Sequence, residues 1–424
     1  MDTVASKTHM LRIDSARLWD SLMALARIGA TPKGGVCRLA LTDLDRQGRD
    51  LFVQWAREAG CEVRVDQIGN IFARRAGVEN SLPPVMMGSH IDTQPTGGKF
   101  DGNFGVLGGL EVVRRLNDAG IRTLAPIEVV AWTNEEGSRF VPVMMGSGVF
   151  AGAFGLEDVL PQQDTEGKRV GDELRRIGYA GSVPAKHFPI KAYFEAHIEQ
   201  GPILEATDTV IGVVKGALGQ RWYDVTVTGM EAHAGPTPMD LRKDALLASA
   251  RLITAINQIA LDHAPDARST VGWIDAYPNS RNVIPGTVKF SVDLRAADDD
   301  VLDAMDAALA AACRALAEEG RVDVQVKQVV YFPPQPFDET QVQAVRCASE
   351  RLSLPHRDIV SGAGHDAVYL ARVTPTAMIF IPCKDGISHN EIEEASQAHV
   401  EAGCNVLLHA VLEQAGVAPG HAET

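Results

Sequence analysis

Pro84-Val85-Met86-Met87-Gly88-Ser89-His90-Ile91-Asp92-Thr93, followed by Gly97-Gly98-Lys99-Phe100-Asp101-Gly102-Asn103-Phe104-Gly105-Val106, is the stretch that decides the fold. Its first residues form a short apolar run, as a buried strand would. A helical pattern then runs from Gly105 to Leu116. Strand, polar loop and helix in succession form the unit of an α/β sheet. The loop between them carries a histidine and an aspartate at the position where such sheets place ligands.

The alternation continues in both directions. Residues 14–28 repeat Leu18, Leu22, Leu25 and Ala26 at helical spacing, and 43–59 repeat Leu44, Leu51, Phe52 and Trp55, with Gly60 at the expected helix end. Apolar runs at 62–65, 71–74, 127–133, 193–198 and 376–381 read as strands. The block 220–330 has a different order: an amphipathic strand (221–228), a helix (240–259), strands (270–275 and 288–295), a helix (298–318) and a last strand (322–330). That order suits a small sheet with two helices on one face. Phe332-Pro333-Pro334-Gln335-Pro336 reads as the connector back. The expected architecture is α/β: a catalytic domain over residues 1–216 and 331–424, with a second, α+β domain inserted at 217–330.

A chain of 424 residues, 45% of them hydrophobic, can bury cores of that size. With 40 Lys plus Arg against 55 Asp plus Glu, the net charge of -15 disfavours nucleic acid and anionic membrane surfaces as partners. No run approaches the roughly 18 apolar residues of a membrane span. The N-terminus has no apolar signal-peptide core. The six cysteines lack any C-x-x-C pair, so neither a disulfide framework nor a thiolate zinc site is expected, and the cytoplasm is the simplest compartment.

Five clusters carry the chemistry. His90 can bind a metal through one ring nitrogen, and Asp92 can accept from the other. Asp101, flanked by glycines, reads either as a ligand or as a helix cap. Glu135-Glu136 follows a strand; two adjacent carboxylates suit a cation, one as ligand and one as general base. His197, in Glu195-Ala196-His197-Ile198-Glu199-Gln200-Gly201-Pro202, closes another strand, and His389 lies in the loop Ser388-His389-Asn390-Glu391. These nitrogen and oxygen donors suit Zn, Mn, Co or Ni rather than Ca. Five ligands exceed the needs of one structural zinc and suit two divalent ions sharing a carboxylate.

The segments GSHIDTQPTGGKFDG, TNEEGSRF, AHIEQGP and SHNE, in this order, resemble the N-carbamoyl-amino acid amidohydrolases. These include β-ureidopropionase, N-carbamoyl-L-amino acid hydrolase and allantoate amidohydrolase, and are related to the dinuclear aminoacylases and carboxypeptidase-type metallopeptidases. The resemblance spans roughly residues 14–412. It implies a catalytic domain with a mixed sheet flanked by helices, and an inserted domain that serves as lid and dimerisation surface. It implies two divalent metals, zinc first, with Asp101 bridging, His90 and His197 on one ion, Glu136 and His389 on the other, and Glu135 as general base. It also implies a ureido substrate contacted by Gln200, by Asn282 and Arg295 at its carboxylate, and by the backbone of Gly364. His233 would reach the neighbouring active site of a homodimer. His365 and Asp366 are expected outside the ligand set. The metallopeptidase relatives commonly have a carboxylate where this chain has His197. That difference favours hydrolysis of N-carbamoyl amino acids, with allantoate as the alternative substrate and aminoacylase or exopeptidase activity behind both.

Overall fold

Asp14 caps the helix Ser15–Ala26 by accepting from the Arg17 N–H, and Thr42 does the same for Asp43–Glu58 through Asp45. Both helices turn their apolar stripe inward, with Leu18, Leu22, Leu25 and Phe52 buried. The structure, a computed structural model, describes residues 11–419. It has two compact units: one holds the chain up to Lys215 and from Pro336 onward, the other Gly216–Gln335.

The first unit is built on a nine-stranded sheet. Its order is Glu62–Val65, Ile71–Arg75, Ile127–Trp132, Val85–His90, Ala192–Ile198, Thr376–Ile381, Ile211–Ala217 and Gln335–Pro336, with His356–Ser361 also pairing Ile211–Ala217. The four central strands are mutually parallel, with Gly88 opposite Val130, Val85 opposite Ala192, and Phe380 opposite His197. All four are buried at every residue. That is why they read as continuous apolar runs rather than as alternation. Helices Asn103–Asp118 and Gln397–Ala415 pack on this sheet. Parallel strands place their C-terminal ends on one edge, and every loop of interest leaves from there. Where the chain leaves and re-enters this unit, the Phe337 N–H donates to the Lys215 carbonyl at 2.9 Å.

The second unit is antiparallel. Thr287–Ala296 pairs with Gly219–Thr228, which pairs with Asp323–Phe332. Ile274–Tyr277 and Arg268–Thr270 both pair with Thr287–Ala296. Tyr223, Val225, Val227, Phe290, Val292 and Leu294 share a buried cluster with Leu252, Ile256, Leu302 and Leu309 of the helices Ala245–Asp262 and Asp299–Gly320. Two sequence expectations shift here. The helix expected from 240 begins at Ala245, because Asp244 caps it and Met239–Leu241 forms a separate 3-10 turn. The strand expected over 270–275 is two short strands with Gly272 in the break.

No helix among the described residues is long and apolar enough to cross a membrane. All six cysteines are free.

Candidate metal centre

His90 is the last residue of its strand, so the pleat fixes its ring at the sheet edge. Its Nδ1 lies 2.9 Å from the Asp92 carbonyl. A carbonyl only accepts, so Nδ1 carries the proton and Nε2 presents a lone pair. His197 repeats the device: its Nδ1 is 2.8 Å from the Ile198 carbonyl, while Nε2 accepts from the Gly102 N–H at 3.1 Å. Both Nε2 atoms face the same oxygen, Asp101 Oδ1, at 3.6 Å from His90 and 3.1 Å from His197. The other oxygen, Asp101 Oδ2, faces His389 Nε2 at 3.4 Å, and that nitrogen is also 3.4 Å from Glu136 Oε2. Two triads result, His90-Asp101-His197 and Asp101-Glu136-His389. The ligand atoms within each lie inside 4.8 Å of one another. One carboxylate thus serves both groups, with one oxygen for each.

The surrounding chain holds that carboxylate closely. Gly102 has φ +64, and a Cβ there would lie 2.4 Å from the His90 ring, so only glycine lets the aspartate loop approach the histidine. Gly102 also caps the following helix, which leaves the Asp101 side chain free of a capping role. Asp101 Oδ2 accepts from Gln200 Nε2 at 2.8 Å and from Ser388 Oγ at 2.9 Å. Glu136 is gripped by Gln94, through its main-chain N–H at 3.0 Å and its amide at 2.7 Å. Glu135 belongs to neither triad; its Oε2 lies 3.4 Å from His90 Nε2. Asn134, Gln200 and His389 all adopt positive φ. Such backbone is costly and clusters where side-chain aim matters.

Asp92 acts differently from the sequence expectation. Its carboxylate is 3.9 Å from His90 Nδ1 and accepts instead from the Glu135 and Glu136 main-chain N–H groups, both at 3.3 Å. Its carbonyl fixes the histidine tautomer, and its carboxylate shapes the turn that carries the two glutamates.

Beneath the loops lies Arg38, fully buried. Its guanidinium donates to the carbonyls of Ile91, Leu25 and Ile28 and to Asn103 Oδ1, at 2.7 to 3.0 Å. It thereby ties the His90 loop to the helix that follows Asp101. Arg38→Met leaves these buried acceptors without that donor and is expected to lower stability by about 3 kcal/mol or more, read from urea unfolding.

Burial and mutual charge set the electrostatics. Burial opposes ionisation of Asp101, yet the close approach of the His197, His389 and His90 rings holds it well below the usual carboxylate range. Burial, reinforced by Asp101, pushes Glu136 up to about 7. Burial and the neighbouring carboxylates of Asp366 and Glu136 raise Glu135 strongly, against the pull of His90. His389 rises to about 9 through its bond to Asp101. Protons can offset the charge of buried carboxylates set this close together, and so can cations. Five nitrogen and oxygen donors in two triads around a shared carboxylate fit two divalent cations in their stead.

The triads open on a cavity of about 170 Å³, whose wall also includes Glu135, Gln200, Met144, Ala363, Gly364 and His365. His365 lies beside the triads and belongs to neither: its ring centroid is 4.6 Å from that of His197, and its Nε2 lies 2.9 Å from Ser361 Oγ. Asp366 stays out of the cavity lining, buried against Ser147. The other expected substrate residues belong to the second unit. Pairing of Val283 with His233 sets His233 beside Asn282, whose carbonyl accepts from Ala234, and Arg295 is paired with Asp293 at 2.8 Å. Two residues without any sequence signal join the site: Met144, on the cavity wall, and Glu393, buried behind Asp101.

The model of peptidase family M20/M25/M40 matches residues 86–413. The chain is 50% identical to an N-carbamoyl-L-amino-acid amidohydrolase of Rhizobium meliloti, over 96% of this chain and 98% of that one. It is 35% identical to an allantoate amidohydrolase of Bacillus subtilis, over 92% and 95%. A crystal structure of a hydantoinase/carbamoylase family amidase from Burkholderia multivorans superposes with a TM-score of 0.93 at 61% identity, covering 96% of this chain and 98% of that one.

Proposed function

The chain belongs to peptidase family M20/M25/M40, and from that premise we propose that it is an amidohydrolase that cleaves the ureido C–N bond of N-carbamoyl-L-amino acids. The products are the amino acid, ammonia and carbon dioxide. The observation that carries this reading is Asp101, shared between two triads, with Glu135 beside them and outside both. The 50% identity to an N-carbamoyl-L-amino-acid amidohydrolase supports the substrate class.

In this reading His90, Asp101 and His197 hold one divalent cation and Asp101, Glu136 and His389 the other, zinc being favoured and Mn, Co or Ni suiting the same donors. When bound, such cations polarise the substrate carbonyl, acidify water and favour the ionised form of nearby carboxylates. Glu135 takes the proton of the attacking water and returns it to the leaving nitrogen. Gln200, the Gly364 backbone and the His365 ring orient the ureido group at the cavity wall. Asn282 and Arg295 bind the substrate carboxylate, since a guanidinium suits that group. The second unit serves as lid and dimerisation surface, and the partner subunit's His233 stabilises the developing oxyanion. A homodimer in the cytoplasm follows from this reading, and free thiols suit that compartment.

The test is ammonia release from N-carbamoyl-L-amino acids, N-carbamoyl-β-alanine and allantoate, after chelation and reconstitution with Zn, Mn, Co or Ni. The expected result is no turnover in the chelated protein and the highest kcat/KM for an N-carbamoyl-L-amino acid. Faster turnover of allantoate would reassign the substrate, and full activity after chelation would end the reading.

A further inference from the structure

Glu393 is 3% exposed, and its carboxylate contacts three donors from two loops. Oε1 accepts from the main-chain N–H of Phe100 at 3.0 Å and of Asp101 at 3.1 Å. Oε2 accepts from Ser388 Oγ at 3.0 Å. The same hydroxyl lies 2.9 Å from Asp101 Oδ2, so Ser388 stands between the two carboxylates and, with one proton, serves one at a time. The contact is built to be close. A Cβ on Gly98 would lie 2.0 Å from the Glu393 carboxyl carbon, so glycine at that position is what admits the glutamate. Burying a carboxylate is costly, and an apolar side chain would pack this space without that cost.

We infer that Glu393 is a positioning residue for Asp101: it clamps the main chain on which the shared carboxylate turns and shares with that carboxylate the Ser388 hydroxyl. Asp101 must offer one oxygen to each triad, so a small rotation about its backbone withdraws an oxygen from one of them. Two consecutive N–H groups held on one oxygen block that rotation. Ser388 directly precedes His389, so the same glutamate fixes the loop that carries a ligand of the second triad. Glu393 thus sets the aim of two ligands while touching neither substrate nor cation. The inference rests on the two-cation reading above.

Titration of the full-length, metal-free protein with Co2+ tests it, read by stoichiometry, affinity and the visible absorption bands of the bound ion. The wild type should bind two equivalents. Glu393→Ala should lower the affinity of at least one by about 10- to 100-fold, the usual range for an outer partner of a ligand, and change the bands. Glu393→Gln keeps an oxygen for the two N–H groups and should restore most of the affinity. Ser388→Ala should show a smaller loss, and with Glu393→Gln it carries the test should Glu393→Ala not fold. A purely structural glutamate would lower thermal stability and leave affinity per folded molecule and the bands unchanged, and that result overturns the inference. A wild type that binds no Co2+ defeats the two-cation reading itself; a wild type that binds two, with variants that bind them equally well, defeats the role of Glu393 alone.

Discussion

Glutamine in place of Glu135 is expected to lower kcat by about a thousandfold, within the 10²–10⁴ range of a lost general acid–base group, while the bound metal stays at the wild-type level. The two halves of that result belong together. Glu135 lies outside both triads, so its loss removes no ligand. Its Oε2 is 3.4 Å from His90 Nε2, so it stands beside the place where a cation would polarise water. Glutamine keeps the volume and removes only proton exchange. The measurement is kcat with metal content determined on the same sample. Near-wild-type turnover with metal bound would remove Glu135 from the mechanism.

Asp101→Ala is expected to have the largest effect. It takes an oxygen from each triad at once, whereas loss of any other ligand weakens one. Activity should fall by about 10⁴-fold or more, and the protein should purify with little of either metal. The comparison is His389→Ala, which leaves the triad of His90, Asp101 and His197 intact and should retain one equivalent. If Asp101→Ala keeps a full complement of metal, the carboxylate is not shared. Cation binding must displace protons from His389 and Glu136, raised to about 9 and about 7, so affinity rises with pH across that interval and the variants are compared at one pH.

Much of this candidate site was legible in the chain because His90, Glu136 and His197 lie at or just past the ends of fully buried parallel strands. A strand buried on both faces reads as a largely apolar run, and polar residues gather toward its end, here His90, Asn134-Glu135-Glu136 and His197. Asp101 was ambiguous between ligand and helix cap, and only the structure shows Gly102 in the capping position. Asp92 was placed correctly near His90, but its carboxylate and its carbonyl have different partners, a distinction that residue spacing cannot carry. Glu393 left no trace, because its bonds reach back 293 and 292 residues to Phe100 and Asp101. Periodicity reports which face of an element is buried, and hydrogen bonds between distant loops have no period. The late start of the helix at Ala245 has a local cause: Asp244 caps so well that the apolar residues before it fall outside the helix.

The hydrogen bond from Phe337 to Lys215 joins the two points where the chain departs from and returns to the first unit. To the nine-stranded sheet, everything between them is one long hairpin turn. Loop-closure entropy grows only logarithmically, by roughly 0.6 kcal/mol for each doubling of length, so an excursion of any size there is tolerated almost equally. In the proposed function, recognition of the substrate carboxylate by Asn282 and Arg295 would then ride on a different module from the triads. Those two residues could change with the molecule to be recognised while the triads stay as they are.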